Sequence, residues 1–269
     1  MIKQIAYSIL FAFSVSAAAQ SQDPPLPIEQ CVAQIPYGQP VVKKHDTAVI
    51  CRKAYLLEHD NKAKIPQWVS YTLKPENATG CEKRMSVFKS DRSLPADKRA
   101  ELKDYAKSGY DTGHIANSAD MSWNPEAARE SFILSNMTPQ LPQFNRGIWK
   151  KLEDQTRAWA INRSHTLLIY AGPIYNQKQD KTMGANLVTV PNGFYKIIID
   201  TQTNEAMVFR FNHEAASGSL TKFLSSLAQV QKETGIVFPV PKSVKYADKI
   251  WPSATKSAKA AKAEVCAIN

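Results

Sequence analysis

No apolar run in this 269-residue sequence reaches the ~20 residues that a membrane-crossing helix needs. The patterns G-x-S-x-G, H-E-x-x-H and G-x-x-x-x-G-K-S/T are missing, so serine hydrolase, zincin and P-loop readings lack support. There is no C-x-x-C pair, and no cysteine–histidine spacing suits zinc. Glycine is scarce, at 10 residues. With 43% hydrophobic and 22% charged residues, the composition excludes collagenous, disordered and polytopic membrane chains. A chain of this length can bury a sizeable core without metal or disulfide staples.

Basic residues are in excess. Lys and Arg number 34 against 24 Asp and Glu, a formal charge of +10, which favours polyanionic partners such as nucleic acid, anionic membrane or glycosaminoglycan. The start of the chain reads as a signal peptide over residues 1–19. Lys3 supplies the positive end, Ile5 to Val15 is largely apolar, and Ala17-Ala18-Ala19 offers a cleavage site before Gln20. An exported protein, secreted or periplasmic, is the expectation. Export also makes the four cysteines legible as up to two disulfides. Four cysteines allow three pairings; we favour Cys31–Cys51 with Cys81–Cys266, because the first pair closes the shorter loop.

The domain plan is simple. An extended, Pro-rich segment over 20–46 follows the signal; one mixed α+β domain spans 47–252; an Ala/Lys-rich tail over 253–269 is read as a solvated basic helix or a loose end. Strands are predicted at 47–57, 68–73, 166–171, 187–190, 194–200 and 205–211. Short helices are expected around 96–105 and from about Gln143. Between Gly218 and Gly235, Leu220, Phe223, Leu224, Leu227 and Val230 recur at helical spacing, with Gly235 placed as a C-cap.

Residues 110–157 carry the chemistry. His114, one of five histidines, closes Asp111-Thr-Gly-His. Ser135-Asn136-Met-Thr-Pro-Gln140 follows, then Asn145, Trp149, Leu152-Glu153 and Arg157. On a regular helix Asn145, Glu153 and Arg157 fall on one face. A bland alternative stands beside this: a solvated Glu153–Arg157 ion pair, with Asn145 as an N-cap. His45, His59, His165 and His213 have no partner spacing and read as surface or structural. Asn77, Asn136 and Asn162 head formal glycosylation sequons.

Taken together, these motifs resemble the DNA/RNA non-specific endonuclease family, endonuclease G-like ββα-metal nucleases. That signature is Asp-Arg-Gly-His, then Ser-Asn-x-x-Pro-Gln, then Asn followed by Trp, Leu-Glu and Arg on one helix. The match extends over roughly Cys51 to Pro239, and Thr112 stands where the motif has Arg. The resemblance implies an α+β fold with a largely antiparallel sheet. It also implies hydrolysis of DNA and RNA phosphodiesters to 5′-phosphate and 3′-hydroxyl ends. His114 is then the general base and Asn145 the direct ligand of Mg²⁺, for which Mn²⁺ may substitute. Glu153 reaches that ion through water, Arg84 and Arg157 bind phosphate, and Asn136 orients the site. DNA and RNA are the expected partners. An inhibitor protein is the partner if the chain is a toxin-type nuclease, and a basic binding protein without turnover is the other alternative. The oligomeric state stays open, a homodimer included.

Overall fold

The chain builds its core from one sheet whose two faces are both covered. The computed structural model describes residues 24–43, 46–176, 180–252 and 256–268, so the expected signal peptide over 1–19 lies outside the described residues. In chain order the strands are β1 (Val41–Val42), β2 (Thr47–Cys51), β3 (Leu56–Asp60), β4 (Ile65–Leu73), β5 (Asp111–His114), β6 (Met137–Gln140), β7 (Leu167–Ile174), β8 (Thr182–Met183), β9 (Val188–Thr189), β10 (Gly193–Asp200), β11 (Glu205–Asn212), β12 (Ile236–Val237) and β13 (Lys245–Tyr246). The α-helices are α1 (Leu102–Tyr105), α2 (Pro125–Glu130), α3 (Pro142–Phe144), α4 (Lys150–Arg163), α5 (Leu227–Thr234) and α6 (Ala258–Ile268).

Seven strands form the main sheet in the order β13-β11-β10-β7-β4-β3-β2. All its pairings are antiparallel except the short β11–β13 edge contact. The expected mixed, largely antiparallel α+β fold is what forms. Every residue of β7 and β10 is buried. Alternation along the strands sorts their side chains to two layers. Ile169, Ala171, Phe194 and Ile198 join Trp149, Leu152 and Trp159 of the α4 layer. Leu168, Tyr170, Ile197 and Ile199 pack instead with Cys31, Val230 and Phe238.

Several boundaries differ from expectation. The predicted 47–57 strand is β2 and β3 joined by a tight turn, closed by Arg52 N–H donating to the Tyr55 carbonyl at 2.9 Å. The 96–105 helix is a 3₁₀ turn, Ala96–Lys98, followed by α1. The 218–235 helix is also two pieces, Leu220–Phe223 and α5. Leu220 packs in the α4 layer, with Phe223 and Leu224 against it, whereas Leu227 and Val230 serve the opposite layer. One straight helix cannot reach both, so the chain breaks, bridges to Phe209 at Leu224, and restarts with Ser226 capping Gln229 N–H at 3.1 Å. Gly235 does end α5 in the left-handed conformation.

Both ends of the domain are tied down. The N-terminal segment is not wholly extended: Ile28–Gln34 is a 3₁₀ helix, and the Cys31–Cys51 disulfide fastens it to β2. The C-terminal tail is no loose end. It forms α6, fixed by a second disulfide, Cys81–Cys266.

Candidate active site

His114 ends β5, which pairs with β6 so that Asp111 faces Gln140 and His114 faces Met137. The hairpin is tight at Gly113. A Cβ there would sit 2.2 Å from the Gln140 side chain, which is itself fully buried and has no room to move. Only glycine fits immediately before the histidine. The His114 ring meets Phe132 edge-on at 4.7 Å, and Arg84 lies over the same Phe132 ring at 5.3 Å. Nε2 of His114 is buried and has no hydrogen-bond partner among the described residues. Burial first, and the Arg84 charge second, push the imidazole down from its ordinary 6.5 to about 3. It is neutral at physiological pH and holds a lone pair. Arg84 is exposed, anchored through Nη1 to Ser118 Oγ at 2.7 Å. The arginine expected to bind phosphate thus lies on the ring that packs against the histidine.

Asn136, expected to orient the site, does its work from inside the protein. Its amide is fully buried, accepts from Ala116 N–H at 2.9 Å, and donates to the Ala116 and Ser131 carbonyls. It therefore touches no substrate surface. It clamps the chain two residues beyond His114 and is a positioning residue. The burial also excludes a glycan at this sequon.

Asn145 is not an N-cap. The helix already starts at Pro142, Asn145 has helical backbone angles, and its N–H bonds the Leu141 carbonyl at 2.9 Å. Its Nδ2 donates to Asp111 Oδ2 at 2.9 Å, which leaves Oδ1 as the end not held by Asp111. Arg146 grips the same carboxylate through two bonds, at 2.6 and 2.9 Å. Burial works against the Asp111 carboxylate, yet the Arg146 and Asn145 bonds outweigh it and hold its pKa below the ordinary value. His213 fixes where this helix begins. Its Nε2 accepts Leu141 N–H at 2.7 Å, so Nδ1 must donate to the Pro191 carbonyl, also at 2.7 Å.

The helix is not regular. Asn145–Trp149 is a π-turn, kinked at Gly147, whose angles of −100° and −109° suit a residue without a side chain. The constant 100° step used to align Asn145 with Glu153 therefore fails between them. Beyond the kink, Glu153 and Arg157 are not a solvated pair; both are buried. Arg157 Nη1 donates to Asp120 at 2.7 Å and to Asn117 at 3.1 Å, and Nη2 pairs with Asp154. The expected phosphate-binding arginine is thus committed to two carboxylates and cross-links α4 to the turn after β5. Burial raises the Glu153 carboxyl, opposed mainly by Lys196 and by a hydrogen bond with Asn117.

Lys196, Asn117, Asp120, Phe132 and His213 were not picked out as site residues. Lys196 is fully buried in β10, its ammonium 4.5 Å from the Trp149 ring and without a hydrogen-bond partner among the described residues. The signal was available: a single charge inside Gly193–Asp200, otherwise aromatic and Ile-rich up to its last residue. Burial lowers its pKa, resisted by Glu153 and Asp120. Two acids and two bases, Glu153, Asp120, Arg157 and Lys196, balance one another behind the site.

Metal fit turns on Asn145. Among the described residues no group of three or more His, Cys, Asp or Glu side chains could hold an ion. A pre-oriented amide oxygen suits a hard cation that keeps most of its waters, as Mg²⁺ does. The residues present fit such an ion.

The family model for DNA/RNA non-specific endonuclease matches residues 37–244. Human mitochondrial endonuclease G is 29% identical over 205 residues, 70% of this chain and 68% of the relative. A nuclease of Syncephalastrum racemosum is 32% identical over 211 residues, covering 70% and 66%. A nuclease of Nostoc sp. is 35% identical over 155 residues, covering 57% and 55%. A solved chain of the EndoG/EndoGI complex superimposes with a TM-score of 0.69 at 25% identity, over 82% of this chain and 93% of that one. The chain spans about half to two-thirds of the lengths of these sequence relatives. With the family model covering most of its length, the chain belongs to the DNA/RNA non-specific endonuclease family, whose members hydrolyse nucleic acids.

Proposed function

We propose that the chain is an exported, Mg²⁺-dependent endonuclease that cuts DNA and RNA alike and leaves 5′-phosphate and 3′-hydroxyl ends. The observation that carries this reading is the neutral His114 ring, with a buried, unpartnered Nε2 beside an exposed arginine. His114 accepts the proton of the attacking water at that nitrogen. Arg84 donates to a phosphate oxygen, and the arriving anion offsets the Arg84 charge, raising the basicity of His114 when substrate is bound. Asn145, oriented by Asp111, would hold the metal directly, with Glu153 reaching it through water. Bound Mg²⁺, or Mn²⁺ in its place, supplies Lewis acidity for the departing oxygen. Nothing in this set reads a 2′-hydroxyl, which is why both sugars serve. Two disulfides and the apolar N-terminal sequence support an oxidising compartment, secreted or periplasmic. The likeness to a chain of the EndoG/EndoGI complex supports an inhibitor protein as a partner.

The test is cleavage of plasmid and of RNA by the mature chain with Mg²⁺, with and without EDTA. Both substrates should be cut only with metal, and His114→Ala should lose ~10²-fold or more in rate while remaining folded. Wild-type turnover by His114→Ala, or cutting undiminished in EDTA, overturns the reading.

A further inference from the structure

The family match ends at residue 244, so α6 lies outside it. This helix is nonetheless built into the domain. Cys266 is bonded to Cys81, Ala258 and Ala261 are buried, and the Asn162 side chain holds the Lys256 backbone from both sides, at 2.8 and 3.2 Å. Between α6 and α4 lies a cavity of about 620 Å³. Lys150, Lys151 and Arg157 line it from α4, and Lys259 and Lys262 from α6. Its one carboxylate, Asp154, is already engaged by Lys150 and Arg157.

Lys262 has a second position of interest. It also borders a smaller cavity of about 80 Å³ whose walls include Arg84, Ser118 and Phe132, the groups beside His114. Neither Lys259 nor Lys262 has a carboxylate partner among the described residues; the recorded bond of the Lys262 ammonium is to Ser122 Oγ at 3.3 Å. Burial, and then the nearby Arg157 charge, weaken its hold on its proton. Five cations line the larger cavity against one carboxylate, and Lys262 also borders the smaller cavity beside Arg84; this excess of positive charge is arranged for a polyanion.

We propose that α6 supplies a second phosphate site, in which Lys262 and Lys259 face Lys150 and Lys151 and hold the sugar–phosphate backbone of the substrate strand beyond the scissile bond. The Cys81–Cys266 bond keeps this wall in place. The inference rests on the nuclease reading for its choice of occupant, but its test does not need turnover.

That test is fluorescence anisotropy of a labelled 20-mer DNA in EDTA, comparing wild type with Lys259→Gln/Lys262→Gln. A melting curve and a thiol titration establish that the variant is folded with its disulfides intact. The variant should bind roughly ten-fold more weakly, and the slope of log K against log salt should shrink by about 1 to 2 as phosphate contacts are lost. The loss should grow from a 4-mer to the 20-mer. Unchanged affinity and slope overturn the proposal, as does a wild type that does not bind the 20-mer. Loss of binding to polyglutamate alone assigns the cavity to an acidic protein and overturns it too. If binding changes as expected but no wild-type cleavage occurs, the nuclease reading falls and the phosphate site stands.

Discussion

Thr112 is where this chain departs from its family's motif, and the structure shows what that position offers. It is half-buried on β5 opposite Pro139, two residues before His114. A threonine hydroxyl brings no charge, and one candidate for compensation, Arg146, is occupied by Asp111 although its side chain is 72% exposed. Thr112→Arg should therefore raise kcat/KM several-fold and steepen its salt dependence by about one phosphate contact. Steady-state kinetics across a salt series check this, and unchanged kinetics in a folded variant would mean Thr112 has no part in substrate binding. At this scale the sequence was informative where chemistry dictates the residue type: His114 and Asn145, singled out by the motif, lie on β5 and on the helix joined to it through Asp111. It was silent about what each side chain is bonded to. Glu153 and Arg157 could not be told from a solvated ion pair, because their burial depends on Lys196 and Asp120, which arrive from distant segments.

Elements position these residues more than their own sequences suggest. The helix that carries Asn145 starts where His213, from the end of β11, receives the Leu141 N–H. His213→Ala leaves that partly buried donor without its acceptor, a loss of about 1 kcal/mol. Chemical denaturation should show this loss, and metal-dependent cleavage should fall as Asn145 loses its placement; a drop in stability with the rate intact would confine His213 to a structural role. Periodicity could not have found this link, which spans 72 residues. It also misjudged helix continuity twice: at Gly147, where a residue without a side chain admits the kink, and at Leu224–Ser226, where one apolar spacing serves both layers. A spacing of apolar residues records that they are buried, not which side of the sheet buries them. Strands fared better, since β7, β10 and β11 are long, β-branched or aromatic, and bounded by turn residues.

Across the whole molecule, three histidines, His59, His114 and His213, have pKa values lowered chiefly by burial. The unfolded chain binds protons at these sites where the native one does not. Their contribution is therefore present above about 6.5 and is lost as the pH falls toward the native values, about 3 for His114. Each costs up to about 1.4 kcal/mol per pH unit in that window. Glu130 and Glu153, both raised by burial, act in the opposite direction. Melting temperature should fall between pH 6.5 and 5 in the wild type, and more gently in His114→Gln. Parallel slopes in the two proteins would show that His114 is not the buried neutral group described.

The Cys81–Cys266 bond spans 185 residues of sequence and encloses both β5 and α4, so the catalytic part of the chain is a covalent ring rather than a line. A protease that cuts one loop inside this ring opens it without releasing a fragment. The ends remain held within reach of their native partners, and closure of so large a loop already contributes about 5 kcal/mol in the chain-entropy picture. One nick inside the ring therefore leaves a single molecule whose cut ends are still covalently joined.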